Sequence, residues 1–175
     1  MSALVTHRGV FARASLAFAF LATVTLGSAA AWGQDSKAVD EMMRQAQTEM
    51  SKGRPQDAIP ILRKAIDLAP NNADLYMMRS RARDQSGKFD AALDDATKYI
   101  ELRPDDVYGY LNRARIYLSL DRSNSALEDA NKAITMSPNE PDAYFRRADI
   151  YSAMGKDAEA KADETKAEEL DKKAR

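Results

Sequence analysis

Apolar and small residues recur along this chain on two scales at once. On the short scale they follow helical spacing, in paired stretches of about fourteen residues joined by a short turn. On the long scale the pair itself repeats. The stretch from Tyr108 to Pro138, YGYLNRARIYLSLDRSNSALEDANKAITMSP, reads as helix, turn, helix and proline stop. The same pattern starts 34 residues earlier at Asp74 and 34 residues later at Asp142, and Pro70, Pro104 and Pro138 keep that interval. A fixed period of this length marks a helical repeat array.

With each proline set at position 32, the repeats run 39–72, 73–106, 107–140 and 141–174. Position 8 is small (Ala46, Ser80, Ala114, Ala148), and position 20 is alanine throughout (Ala58, Ala92, Ala126, Ala160). Small side chains at these two places let the axes of two antiparallel helices approach. Position 4 is large: Met42, Tyr76, Tyr110 and Tyr144. Position 11 is Glu49, Arg83, Tyr117 and Tyr151, and position 27 is Ala65, Tyr99, Ala133 and Ala167. Gly53, Gly87 and Gly155 at position 15 suit a left-handed residue closing the first helix; Asp121 stands there in the third repeat and tolerates that conformation less well. This set of positions resembles the tetratricopeptide repeat, over about 136 residues (39–174). The resemblance implies an all-α, right-handed solenoid of about four helix pairs that binds a protein or peptide partner.

The ends depart from the pattern. The first repeat has Met42 and Glu49 at aromatic positions, with Pro55 at a helix start and Pro60 where it should bend or fray the second helix. The fourth has Lys172 in place of the proline, and its second helix, Asp157 to Lys173, is mostly polar, as a terminal cap must be. Pro141 is expected in the first turn of its helix.

Ahead of the repeats, residues 1–13 carry Arg8, Arg13 and no acid; Ala14 to Leu26 is apolar, and small residues follow. That order describes a secretory signal peptide over 1–33, cut before Gln34 or, alternatively, before Trp32, with an uncleaved anchor as the competing reading. The expected mature domain is then 34–175, in the bacterial periplasm. Removal takes away two arginines and moves the formal net charge from −1 to −3. There is no cysteine, so no lipobox, disulfide or thiolate site is possible, and the single histidine is His7, inside the segment expected to be removed. The near-neutral balance, without basic-aromatic patches, gives no reason to expect nucleic acid. No phosphate loop, metal spacing or nucleophile elbow is present, so no cofactor, metal or catalytic residue is expected.

Two sets of charges invite a function. Arg79, Arg113 and Arg147 at position 7 each precede an aspartate by 16 residues: Asp95, Asp129 and Asp163. These are read as ion pairs tying each hairpin, in preference to a basic ladder for an acidic ligand. The concave face of such arrays is usually built by positions 2, 5, 9 and 12 of the first helices, with some use of 6 and 13. The candidate partner-binding residues are therefore Met77, Arg81, Tyr108, Leu111, Asn112, Arg115, Phe145 and Arg146. For Met77 and Leu111, plain packing between first helices is an equal alternative. Chaperone adaptors of this family clamp a C-terminal carboxylate, but at the clamp positions this chain has Met77, Arg81, Asn112, Asp142 and Arg146, of which only Asn112 and Arg146 match. A looser carboxylate site around Arg81, Asn112, Arg115 and Arg146 is the expectation that survives. The predicted function is an exported, non-catalytic interaction module. The alternatives are a self-associating subunit of a cell-envelope complex, through the degenerate first repeat and the last helix, and an enzyme using carboxylate chemistry.

Overall fold

The computed structural model describes residues 24–174, with side chains over 36–173. Most of the expected signal segment, residues 1–23, lies outside the described residues. The described residues form eight helices and no strand: α1 (Val24–Ser51), α2 (Pro55–Leu68), α3 (Ala73–Gln85), α4 (Phe89–Leu102), α5 (Val107–Ser119), α6 (Ser123–Met136), α7 (Pro141–Ala153) and α8 (Asp157–Ala174). They pack as four hairpins, α1 with α2, α3 with α4, α5 with α6 and α7 with α8. Each hairpin stacks on the next through its second helix, while α1, α3, α5 and α7 touch in succession along one face. α1 runs through both expected cleavage positions and into the first repeat.

Each hairpin closes where its spacing predicts. The small residues at positions 8 and 20 are buried in all four repeats, at the helix crossings. Gly53, Gly87 and Gly155 have φ of 73°, 72° and 72°, and Asp121 is held at φ 57°. A Cβ in that region crowds the following carbonyl, at a cost of about 1–2 kcal/mol. Asp121→Gly is therefore expected to raise stability by about 0.5–1 kcal/mol, the relief being partly offset by the freer unfolded chain. Thermal unfolding checks it, and a lower melting temperature would contradict the strain.

Pro70, Pro104 and Pro138 follow the C-caps Ala69, Arg103 and Ser137 directly, and Pro141 opens α7. Pro60 lies inside α2, which continues past it to Leu68 without fraying. Its ring sits on the exposed face, early in the helix, so the backbone bond it forfeits is replaceable by water.

Two recurring bonds were not foreseen. The residues at position 34 cap the next helix: side-chain oxygens of Asn72, Asp106 and Glu140 accept from the backbone N–H of Asp74, Tyr108 and Asp142 at 3.1, 2.9 and 3.4 Å. The position-4 tyrosines also reach back one repeat. Tyr76, Tyr110 and Tyr144 donate their hydroxyls to the carbonyls of Pro70, Pro104 and Pro138 at 3.0, 3.1 and 3.0 Å. Those carbonyls lie beyond the helix ends and need a donor from elsewhere. Met42 has no hydroxyl, so the first repeat has no such tether.

The last helix, α8, buries Ala160, Asp163, Ala167 and Leu170 and is otherwise mostly exposed, which closes the array with a polar surface.

Candidate functional site

The arginines at position 7 are spent inside the hairpins. Arg79 grips Asp95 through Nε and Nη2 at 2.9 and 2.7 Å, Arg113 grips Asp129 at 2.8 and 2.9 Å, and Arg147 grips Asp163 at 2.7 and 2.8 Å. These hydrogen bonds hold all three guanidiniums above their ordinary pKa, against the opposing effect of burial. Arg113 and Arg147 are also sandwiched between the tyrosines at positions 4 and 11, with ring centroids at 5.7–5.9 Å. In the second repeat position 11 is Arg83, which adds a further bond to Asp95 at 2.8 Å. None of these cations is available to a ligand.

On the opposite side, α3, α5 and α7 enclose a groove of about 400 Å³. It brings together seven of the eight candidate residues: Arg81, Tyr108, Leu111, Asn112, Arg115, Phe145 and Arg146, joined by Gln85, Asp142 and Asp149. Met77 lies outside it. It is 7% exposed and packs in the core cluster with Val39, Ala46 and Leu75, so it is a packing residue. Leu111 is nearly as buried, yet one side of it reaches the groove.

The floor is a chain of polar contacts anchored in backbone. Ser80 Oγ donates to the Ala92 carbonyl at 2.9 Å and accepts from Asn112 Nδ2 at 2.9 Å. Arg115 in turn donates to Asn112 Oδ1 at 3.1 Å and to Asp84. Ser80 therefore does more than fill a small-residue position. The signal that could have found it is its hydroxyl, set where the other three repeats carry alanine, opposite an asparagine one repeat later.

The groove's charges are largely paired. Arg115 is neutralised by Asp84, and Arg146 by Asp149 at 2.9 Å. Burial pushes the Arg146 guanidinium below its ordinary pKa; Asp149 opposes this and Arg115 reinforces it. One oxygen of Asp84 and Arg146 Nε are buried without a hydrogen-bond partner among the described residues. Arg81, exposed on α3, has no ion pair among the described residues, and neither has Asp142 at the start of α7. The four-residue carboxylate site expected from the sequence thus reduces to one free guanidinium, because Asn112, Arg115 and Arg146 already have partners.

The apolar contribution is aromatic. Large hydrophobic side chains left exposed are few among the described residues, and two of them, Tyr108 (45%) and Phe145 (39%), line this groove. Tyr108 donates its hydroxyl to Glu140 at 3.1 Å. That bond, with the charges of Glu140, Asp142 and Asp106 and some burial, pushes the phenol above its ordinary pKa. Among the described residues no group of histidines and carboxylates could hold a metal ion, and no helix is long and apolar enough to cross a membrane.

Three family profiles, each described as tetratricopeptide repeat, match residues 43–107, 107–140 and 130–162. Curated proteins give no match. Among solved structures, a crystal structure of MamA is 26% identical, covers 82% of this chain and 86% of its own, and superposes with a TM-score of 0.69. A second MamA structure is 27% identical over 81% of this chain and 77% of its own, with a TM-score of 0.67. A thermophilic TPR protein from Thermus thermophilus is 18% identical over 75% of this chain and 74% of its own, with a TM-score of 0.70, a likeness of fold alone. Periodic hairpins, matching profiles and superposable neighbours agree: the chain is an all-α solenoid of tetratricopeptide repeats.

Proposed function

We propose that the mature protein is an exported, non-catalytic interaction module that takes a segment of another protein into the α3–α5–α7 groove. The repeats and their neighbours fit a protein-interaction module. The observation that carries the finer reading is the placement of Tyr108 and Phe145. Two large aromatics left exposed in the same groove as the unpaired Arg81 have the composition of a protein-binding hot spot: aromatic anchors and arginine in one concavity. The basic start, apolar run and small residues of 1–33 support passage through a secretory pathway, with the periplasm as destination.

The test places a photo-crosslinking residue at Tyr108 in the exporting cell, with a control at exposed Lys132 on α6. A dominant foreign adduct from position 108, absent from 132 and lost on Arg81→Glu, is the expected result. Equal labelling from both positions would remove the groove from the account.

One observation favours a second reading. The remaining exposed large hydrophobic among the described residues, Leu68, borders a hollow at the first repeat lined by Val39, Ala69 and Pro70. An apolar surface there suits self-association through the degenerate end. Crosslinks to another copy of the chain in the same experiment would put self-assembly first.

A further inference from the structure

The unpaired charges of the groove are of opposite sign and lie at different depths. The N-terminal rim is acidic: Asp142 has no ion pair among the described residues, and Glu140 accepts the hydroxyl of Tyr108. Tyr108 is 45% exposed beside these carboxylates. An aromatic face next to fixed negative charge attracts a cation from two directions. Deeper along the helices come the apolar contacts, Leu111 and Phe145. Deeper still is the free guanidinium of Arg81, with Gln85 one turn beyond it.

We infer that the groove recognises an extended polypeptide segment carrying a basic side chain, an apolar side chain and an acidic side chain at alternate positions. The basic group docks on Tyr108 and Asp142, the apolar one on Leu111 and Phe145, and the acidic one on Arg81. This rests on the groove reading above and replaces its carboxylate-only expectation with a mixed one.

The spacing follows from helix geometry. Arg81 stands seven residues deeper in its helix frame than Tyr108, about 10 Å along the axis, and one helix over, about 9 Å across. The diagonal is about 14 Å, which an extended chain spans in about four residues. In an extended chain residues i, i+2 and i+4 share one face, so a single strand presents all three groups at once. A doubly acidic segment would meet Asp142 and Glu140 at its other end, and a doubly basic one would meet Arg81.

The test titrates the full mature chain with short acetylated and amidated peptides, followed by amide NMR. One peptide carries Lys, Leu and Glu at alternate positions; the others replace Lys with Glu or Glu with Lys. The mixed peptide is expected to move groove resonances and to bind about fivefold more tightly than either uniform one. Arg81→Glu should shift the preference to the doubly basic peptide, and Asp142→Lys to the doubly acidic one. Groove shifts that ignore peptide charge, or tightest binding of the doubly acidic peptide, would overturn the mixed recognition and leave the groove reading standing. Shifts confined to residues outside the groove for every peptide would overturn both.

Discussion

Asp95→Ala is expected to destabilise the protein by about 3–5 kcal/mol, well beyond the cost of the same change at Asp129. Asp95 is buried and accepts from two guanidiniums, Arg79 through two bonds and Arg83 through one, and Arg83 also donates to the Ala91 carbonyl. Without the carboxylate from α4, two half-buried cations stand one turn apart on α3 with their shared counter-charge gone. Burial already holds Arg83 below its ordinary pKa, with Arg79 adding to that, and Asp95 is the main opposing charge. Asp129 neutralises only Arg113, and its loss leaves that cation between the rings of Tyr110 and Tyr117. Urea unfolding followed by far-ultraviolet circular dichroism measures both, since urea does not screen charge as guanidinium chloride does. Arg83→Tyr, which restores the residue found in the third and fourth repeats, should bring the cost of Asp95→Ala down toward that of Asp129→Ala. A loss at Asp95 under about 1 kcal/mol would mean the pair behaves like an exposed one.

Those ion pairs were legible in the sequence because they are periodic. An arginine and an aspartate sixteen residues apart, three times in one phase, leave few geometries other than a contact across a hairpin. The small residues at positions 8 and 20, the left-handed residues at position 15 and the proline stops were legible for the same reason. What periodicity cannot show is how non-repeating charges choose among neighbours. Arg81 and Arg115 both occupy position 9 and look interchangeable on paper. Arg115 has Asp84 of the preceding repeat and Asn112 of its own within reach, whereas Arg81 lies exposed without an ion pair among the described residues. Met77 and Leu111 likewise share position 5, yet Met77 packs into the core around α1 and α2, and Leu111 shows a side to the groove. The charges of the groove are therefore balanced, with an unpaired one of each sign, Arg81 and Asp142, where the sequence had indicated a carboxylate site around Arg81, Asn112, Arg115 and Arg146. Pro60 shows the reverse limit: a local rule allowed the helix to fray there, and it continues to Leu68.

The other large effect comes from a break in the repeat pattern in the core of the second repeat. Position 27 is alanine in three repeats but Tyr99 in the second, and position 3 of the next repeat is the buried Gly109. The two departures compensate. A Cβ on Gly109 would stand 2.9 and 3.0 Å from Tyr99 Cδ1 and Cε1 and 3.0 Å from Ile100 Cγ1. The ring has little room to retreat, because its hydroxyl is bonded to Asp106 and the Arg103 guanidinium lies over its face. At the other repeat junctions the same two positions are filled by Ala65 with Leu75 and by Ala133 with Ala143, all fully buried or nearly so. Tyr99→Ala should therefore cost about 3–5 kcal/mol, the range for emptying a buried aromatic site. Gly109→Ala should cost about 1–2 kcal/mol, overpacking outweighing the gain in helix propensity. The double variant Tyr99→Ala/Gly109→Leu reproduces the Ala65–Leu75 arrangement and should recover half or more of the loss, a coupling on the order of 2 kcal/mol. Equilibrium unfolding of the four proteins of this cycle, wild type, Tyr99→Ala, Gly109→Leu and the double variant, measures it. If the double variant is no more stable than Tyr99→Ala alone, the two positions do not share a volume. The close approach of α4 and α5 would then have to be assigned to contacts other than this pair.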